Sequence, residues 1–161
     1  MKLKATIFLV LPALLAGCAA KVATYNPQQD NLRSYAKQLI ETNRYHVNHR
    51  VSFTEGPYYD MQSLIVSTSS HMGGKPFYKT MMDACRVEDG NPQEITNATF
   101  NQPPAGASRN DHYAFTCRAA KGATLVQITD IRPYQLGMFY NVLILESSEP
   151  NKDFTEYLYA R

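Results

Sequence analysis

The run Met138-Phe139-Tyr140-Asn141-Val142-Leu143-Ile144-Leu145 leaves this chain few ways to fold. Successive residues of a strand point to opposite faces of a sheet, so a strand apolar at both parities must be covered on at least part of each side. It belongs in the middle of a sheet. Around it the chain reads as strand after strand, with His112–Arg118, Ala123–Ile131 and Phe154–Tyr159 as further segments.

The upstream half has a different period. Leu32, Tyr35, Ala36, Leu39 and Ile40 recur at helical spacing, with Asp30 or Asn31 placed to cap. A first helix is predicted from there to Asn43 or Arg44. Val47, Val51 and Phe53 suggest an extended segment stopped by Gly56-Pro57, and Leu64–Thr68 reads as a strand. A second helix follows, with Pro76 at its first position, Phe77, Met81, Ala84 and Cys85 on one face, and Gly90 just beyond its end. Ile95–Phe100 is a further possible strand, and 101–111, with Pro103, Pro104 and no periodic apolar residue, reads as an exposed loop. Helices early and strands late, without βαβ alternation, define an α+β fold. We expect a mainly antiparallel sheet of about five strands, with two helices packed on one face. A transmembrane barrel needs at least about eight strands of alternating polarity, more than this pattern offers.

The amino terminus is an address rather than part of the domain. Lys2 and Lys4 precede an uncharged stretch, Ala5–Leu15, and then Ala16-Gly17-Cys18, the charged, apolar, small-residue order of an export signal. A bilayer-spanning helix needs ~20 apolar residues; this stretch has eleven, with Pro12 among them. The tetrapeptide Leu15-Ala16-Gly17-Cys18 resembles the lipobox of bacterial lipoproteins. That resemblance covers the signal alone. It implies cleavage before Cys18 and a diacylglyceryl group on its sulfur, with acyl chains that each add ~0.8 kcal/mol per buried CH₂. It divides the chain into a cleaved signal (1–17), a lipidated cysteine with a flexible tether (18–29) and one globular domain (30–161). Ala19, where an aspartate would favour inner-membrane retention, implies the outer membrane, facing the periplasm. Fully extended, residues 19–29 reach about 40 Å, so the domain stays near its membrane.

Removing residues 1–17 takes Lys2 and Lys4 with it, leaving fourteen basic against fourteen acidic residues, scattered without runs. Such a balance favours neither nucleic acid nor anionic lipid headgroups. With Cys18 committed to lipid, Cys85 and Cys117 form an even pair in a compartment that permits disulfides, and a bridge between them is expected. Closing about 33 residues, it would stabilise the fold by roughly 3–4 kcal/mol. The alternative is a reactive thiol with His71 or His112 as base.

Other chemistry is sparse. His46 and His49 lack a carboxylate or cysteine to complete a metal site. Ser67–Ser70 lack a nucleophile elbow, and His71–Lys75, with Gly73 and Gly74, lacks the spacing of a phosphate loop. Asn97-Ala98-Thr99 matches a glycosylation triplet by pattern only. No cofactor, metal or catalytic residue is assigned. The chain has eleven tyrosines and no tryptophan; tyrosine suits strands, and it also supplies contact area at low entropic cost. Tyr58, Tyr59 and Tyr134, beside turns, together with Pro103 and Pro104, are the candidate partner contacts. The expectation is a non-enzymatic, lipid-anchored binding or assembly module that contacts another envelope protein. An inhibitor or immunity lipoprotein with the Pro103-Pro104 loop as a plug is the first alternative, and a small periplasmic hydrolase the second.

Overall fold

The computed structural model describes residues 24–26, 31–43, 51–95, 112–131 and 139–158. Pro103, Pro104, Tyr134, Cys18, His46, His49 and Asn97 lie outside the described residues. The fold is α+β, and the described residues form two α-helices, α1 (Leu32–Asn43) and α2 (Gly74–Val87), and six strands. The strands are β1 (Ser52–Tyr58), β2 (Met61–Ser69), β3 (Asn91–Ile95), β4 (His112–Ala119), β5 (Gly122–Ile131) and β6 (Phe139–Ser147). They form one antiparallel sheet in the order β1-β2-β6-β5-β4-β3, so the doubly apolar run lies third of six, as its pattern requires.

α1 begins with a reciprocal cap. The Ser34 N–H donates to Asn31 Oδ1 at 2.8 Å, and the Asn31 N–H donates to Ser34 Oγ at 3.0 Å. The helix is then docked on β6 by Arg33, whose backbone N–H and Nε donate to the two carboxylate oxygens of Glu146 at 3.2 and 3.0 Å. Its predicted face is the buried one: Leu32, Ala36, Leu39 and Ile40 are almost without exposure. Each such leucine or isoleucine contributes ~1.5–3 kcal/mol. α2 adds Phe77, Met81, Ala84 and Cys85, and the sheet answers with Leu64, Val66, Phe115, Val126, Ile128, Tyr140, Val142 and Ile144. Both helices therefore cover one face.

Five sequence readings change in detail. The sheet has six strands rather than about five, and β3 starts at Asn91, before the expected Ile95–Phe100, of which only Ile95 is among the described residues. Among the described residues β3 is an edge strand paired with β4 alone, a place where Pro92 is tolerated. β1, the other edge, runs through Gly56-Pro57 and turns only at Tyr59-Asp60. α2 starts two residues before Pro76, whose missing N–H falls in the first turn, where no intrahelical bond is lost.

The described part of Phe154–Tyr159, finally, residues 154–158, is not a strand. The Asp153 carboxylate accepts from the Thr155 N–H at 2.9 Å and opens a 3₁₀ turn at Thr155–Tyr157. Phe154 and Leu158, four apart, are thereby buried against Met61, Ala114, Ala123, Leu125 and Leu145 on the face opposite the helices. This small second core covers the lower part of that face. On the upper part Asn141 and Ile65 are exposed, which is why the outer parity of β6 is polar at Asn141, between Phe139 and Leu143.

The disulfide forms as expected. Cys85, at the end of α2, is bonded to Cys117 of β4, with Cα atoms 5.9 Å apart and both residues buried. α2 ends on Asp89, in the left-handed region at φ 56°, with the Asp89 N–H donating to Arg86 O at 3.2 Å and the Gly90 N–H to Cys85 O at 2.9 Å. That is a Schellman ending, but its left-handed residue is Asp89 and not Gly90. Gly90 serves a different need: a Cβ there would lie 2.5 Å from Cys117 Sγ and 2.8 Å from Cys85 Sγ.

Candidate partner-contact surface

The two-residue turn between β1 and β2 puts Tyr58 and Tyr59 on a protruding tip. Tyr59 takes φ 55°, unusual for a bulky side chain, and is 82% exposed, the most exposed large hydrophobic residue among those described. Its ring meets that of half-buried Tyr58 edge-on at 5.1 Å between centroids. Tyr157, from the 3₁₀ turn, completes a trio at 6.0 Å from Tyr58 and 6.4 Å from Tyr59, with Phe154 behind it at 6.4 Å. Edge-to-face packing at these distances favours a fixed arrangement over independent rings. The trio thus rests on the second core rather than hanging from a loop.

The tip is clamped by charge. Lys152 Nζ donates to Asp60 Oδ2 at 2.8 Å, joining the β1–β2 turn to the carboxy-terminal segment. That bond holds the Asp60 carboxyl below its ordinary range and the Lys152 ammonium above its own. The Tyr157 hydroxyl is raised by its hydrogen bond to Glu156. All three groups are at the surface, so the pairing orients more than it stabilises.

A second feature lies across the sheet. Tyr25, within the segment read as a flexible tether, is 9% exposed and packs on Tyr35 of α1 at 5.0 Å between centroids. Thr80, Asp83, Ala84 and Val87 of α2 line the adjoining hollow. Tyr25 also hydrogen-bonds Glu88, whose carboxyl is raised chiefly by burial, an effect the Tyr25 bond and the Lys121 ammonium oppose. The chain before α1 is therefore fastened to the helical layer at this residue.

A third is a shallow hollow of about 400 Å³ on the upper part of the outer face, lined by Thr54, Ile65, Ser67, Gln127, Thr129 and Asn141 among others. Gln127 Oε1 is buried there without a hydrogen-bond partner among the described residues.

The structure does not gather the other candidates into one centre. Cys85 and Cys117 are both consumed by their bond, so neither serves as a thiol nucleophile. The His112 ring shares a 3.1 Å hydrogen bond with Thr129, while the His71 N–H donates to Asn43 O at 2.8 Å. They belong to the β4 and β2 sides of the sheet, three strand spacings or ~14 Å apart. Ser70 Oγ donates to Asn43 O and accepts from the Met72 N–H, both at 3.1 Å, closing a turn. Gly73 takes φ 71° as the residue before α2, the conformation for which glycine is suited. No group of three or more metal-ligating side chains occurs among the described residues, and none of their helices is long and apolar enough to cross a membrane.

Sequence reading found Tyr58 and Tyr59 through their turn but missed Tyr157, Lys152 and Tyr25. The signals were present: Asp153 two residues before Thr155 is a turn pattern, and a lone tyrosine in a small, polar tether is out of place.

Fold and surface together define an α+β protein with one antiparallel sheet, helices on one face and an aromatic tip on the other. Comparison with protein-family models, with curated proteins and with solved structures finds no match for the chain.

Proposed function

We propose that this chain is a bacterial lipoprotein, held by lipid on Cys18 at the periplasmic face of the outer membrane. There its domain acts as a protein-binding or assembly module of the cell envelope. The observation that carries the binding role is the Tyr58–Tyr59–Tyr157 tip. A tyrosine exposed to 82%, seated on two ring neighbours and a salt-bridged turn, is the kind of rigid aromatic anchor that interfaces use. Docking of Tyr25 supports a particular presentation. Counted from Tyr25 rather than from the start of α1, the tether from Cys18 spans about 25 Å at full extension. Tyr25 belongs to the helical side of the sheet and the tyrosine tip to the opposite side. The membrane side and the contact side are then separate.

The test is site-specific photocrosslinking in the native envelope, with a photoreactive residue at Tyr59 and, as control, at Val87, which is also exposed but lies on α2. A discrete product with one other envelope protein at Tyr59, absent at Val87 and lost when Cys18→Ala releases the chain from the membrane, is expected. Equal products at the two positions, or none at Tyr59, would count against the contact role. Membrane retention of the Cys18→Ala chain would count against the anchor.

A further inference from the structure

We infer that the tyrosine tip receives a cationic segment of a partner protein, a Lys- or Arg-bearing stretch seated on the rings and between carboxylates. This rests on the reading of the tip as a protein contact. Four exposed carboxylates lie on the two segments that carry the trio: Asp60 in the β1–β2 turn and Glu149, Asp153 and Glu156 on the carboxy-terminal segment, with Asp60 and Glu156 acting on Tyr157 itself. Among the described residues two cations lie beside them, and both are engaged. Lys152 is bonded to Asp60, and Arg118 donates to the carbonyl of Pro150 at 3.1 Å. No salt bridge engages Glu149, Asp153 or Glu156 among the described residues. The tip is thus an aromatic surface beside more carboxylates than cations, four against two among the described residues.

Two physical preferences converge on one occupant. A tyrosine face attracts an ammonium or guanidinium within about 6 Å of the ring centroid, and a neighbouring carboxylate adds to the same attraction. Anionic lipid headgroups are repelled by the same carboxylates, and the tip lies on the face away from Tyr25, where the tether joins. The ligand class is therefore a basic polypeptide segment. Its association should be salt-dependent, since exposed charges are screened over about 10 Å at 0.1 M ionic strength.

The test uses the full chain in nanodiscs of zwitterionic phosphatidylcholine and a fluorescent hexalysine peptide as probe, with hexaglutamate as control. Hexalysine binding that weakens about threefold to fivefold in Tyr59→Ala is expected, the range for one exposed cation–π contact. Tyr59→Phe, which keeps the ring, should bind as the parent does. Glu149→Gln with Glu156→Gln should weaken binding further, as should raising the salt. Because Tyr59, Glu149 and Glu156 are exposed, these variants should melt where the parent melts. Hexalysine binding that ignores all these substitutions, or hexaglutamate binding equally well, overturns the proposal. Competition in the photocrosslinking assay separates the two readings. A product at Tyr59 that excess hexalysine does not suppress refutes the cationic ligand and leaves the protein contact standing. Absence of any product at Tyr59 removes the contact itself.

Discussion

Asp89 and Gly90 are adjacent residues at the end of α2 for which the structure predicts opposite responses. In Gly90→Ala the added Cβ must enter a space where Cys117 Sγ is 2.5 Å away and Cys85 O and Cys85 Sγ are each 2.8 Å away. Neither sulfur can swing aside while bonded to the other, and Cys85 O is held as acceptor of the Gly90 N–H. Overpacking of this kind costs ~1–3 kcal/mol. Fewer unfolded conformations for alanine offset ~0.4–1 kcal/mol. The net loss is about 1–2 kcal/mol, or roughly 4–8 °C in melting temperature for a domain of this size. Asp89→Gly instead relieves a residue at φ 56° and should stabilise by up to about 1 kcal/mol. Urea unfolding followed by circular dichroism, with unchanged slope and shifted midpoint, measures both. Reduction of the disulfide should shrink the Gly90→Ala penalty, because freed sulfurs can rotate, while leaving the Asp89→Gly gain intact. If Gly90→Ala proves neutral and Asp89→Gly destabilises, the assignment of the left-handed site to Asp89 is wrong, and with it the reason given for Gly90.

Two further outcomes follow from the same region. Replacing Cys85 and Cys117 together by serine removes a bridge across 32 residues of sequence and should cost about 3–4 kcal/mol by the loop-entropy estimate; a loss under 1 kcal/mol in urea unfolding would mean the reduced chain is already constrained. The Glu88 carboxyl, raised mainly by burial, should titrate above the ordinary glutamate value when followed by carbon NMR. Because its folded pKa lies above its unfolded one, its contribution to stability is present below the ordinary glutamate pKa and is lost as pH rises through the folded value. Tyr25→Phe removes a hydrogen bond that favours the charged form, so it should move the Glu88 midpoint higher still; an unmoved midpoint would show that Tyr25 does not reach Glu88.

How much of this was legible in sequence depended on whether the relevant force was local. Met138–Leu145 announced a central strand because both parities are apolar, and α1 announced itself by spacing and by Asn31, since helix period and cap are properties of a few adjacent residues. β3 was mostly invisible: Asn91-Pro92-Gln93-Glu94 has no strand signature, and it is a strand only because β4 offers it an edge. Gly56-Pro57 read as a stop because proline disrupts a ladder in the middle of a sheet, and whether a strand lies at an edge is settled by topology. Phe154–Tyr159 read as a strand on aromatic content, whereas one Asp153 carboxylate bonded to Thr155 turns the backbone and buries Phe154 and Leu158 together.

The candidate site divides along the same line. Tyr58 and Tyr59 stood out because a turn after Gly-Pro is a local event, but their third ring, Tyr157, arrives from the other end of the chain through a second core that no periodicity announces. Tyr25 is missed for a similar reason, since its partners Tyr35 and Glu88 come from α1 and the end of α2. Both misses involve the segments just outside the helices and strands, and each segment lies across the sheet from the other. The sheet with α1 and α2 is the frame. The amino-terminal segment fastens to one side at Tyr25 and the carboxy-terminal segment to the other at Phe154 and Leu158, and only the latter joins the exposed aromatic tip, through Tyr157. Substitution at Tyr25 should therefore alter how the domain is presented without altering what the tip binds, and substitution at Tyr59 should do the reverse.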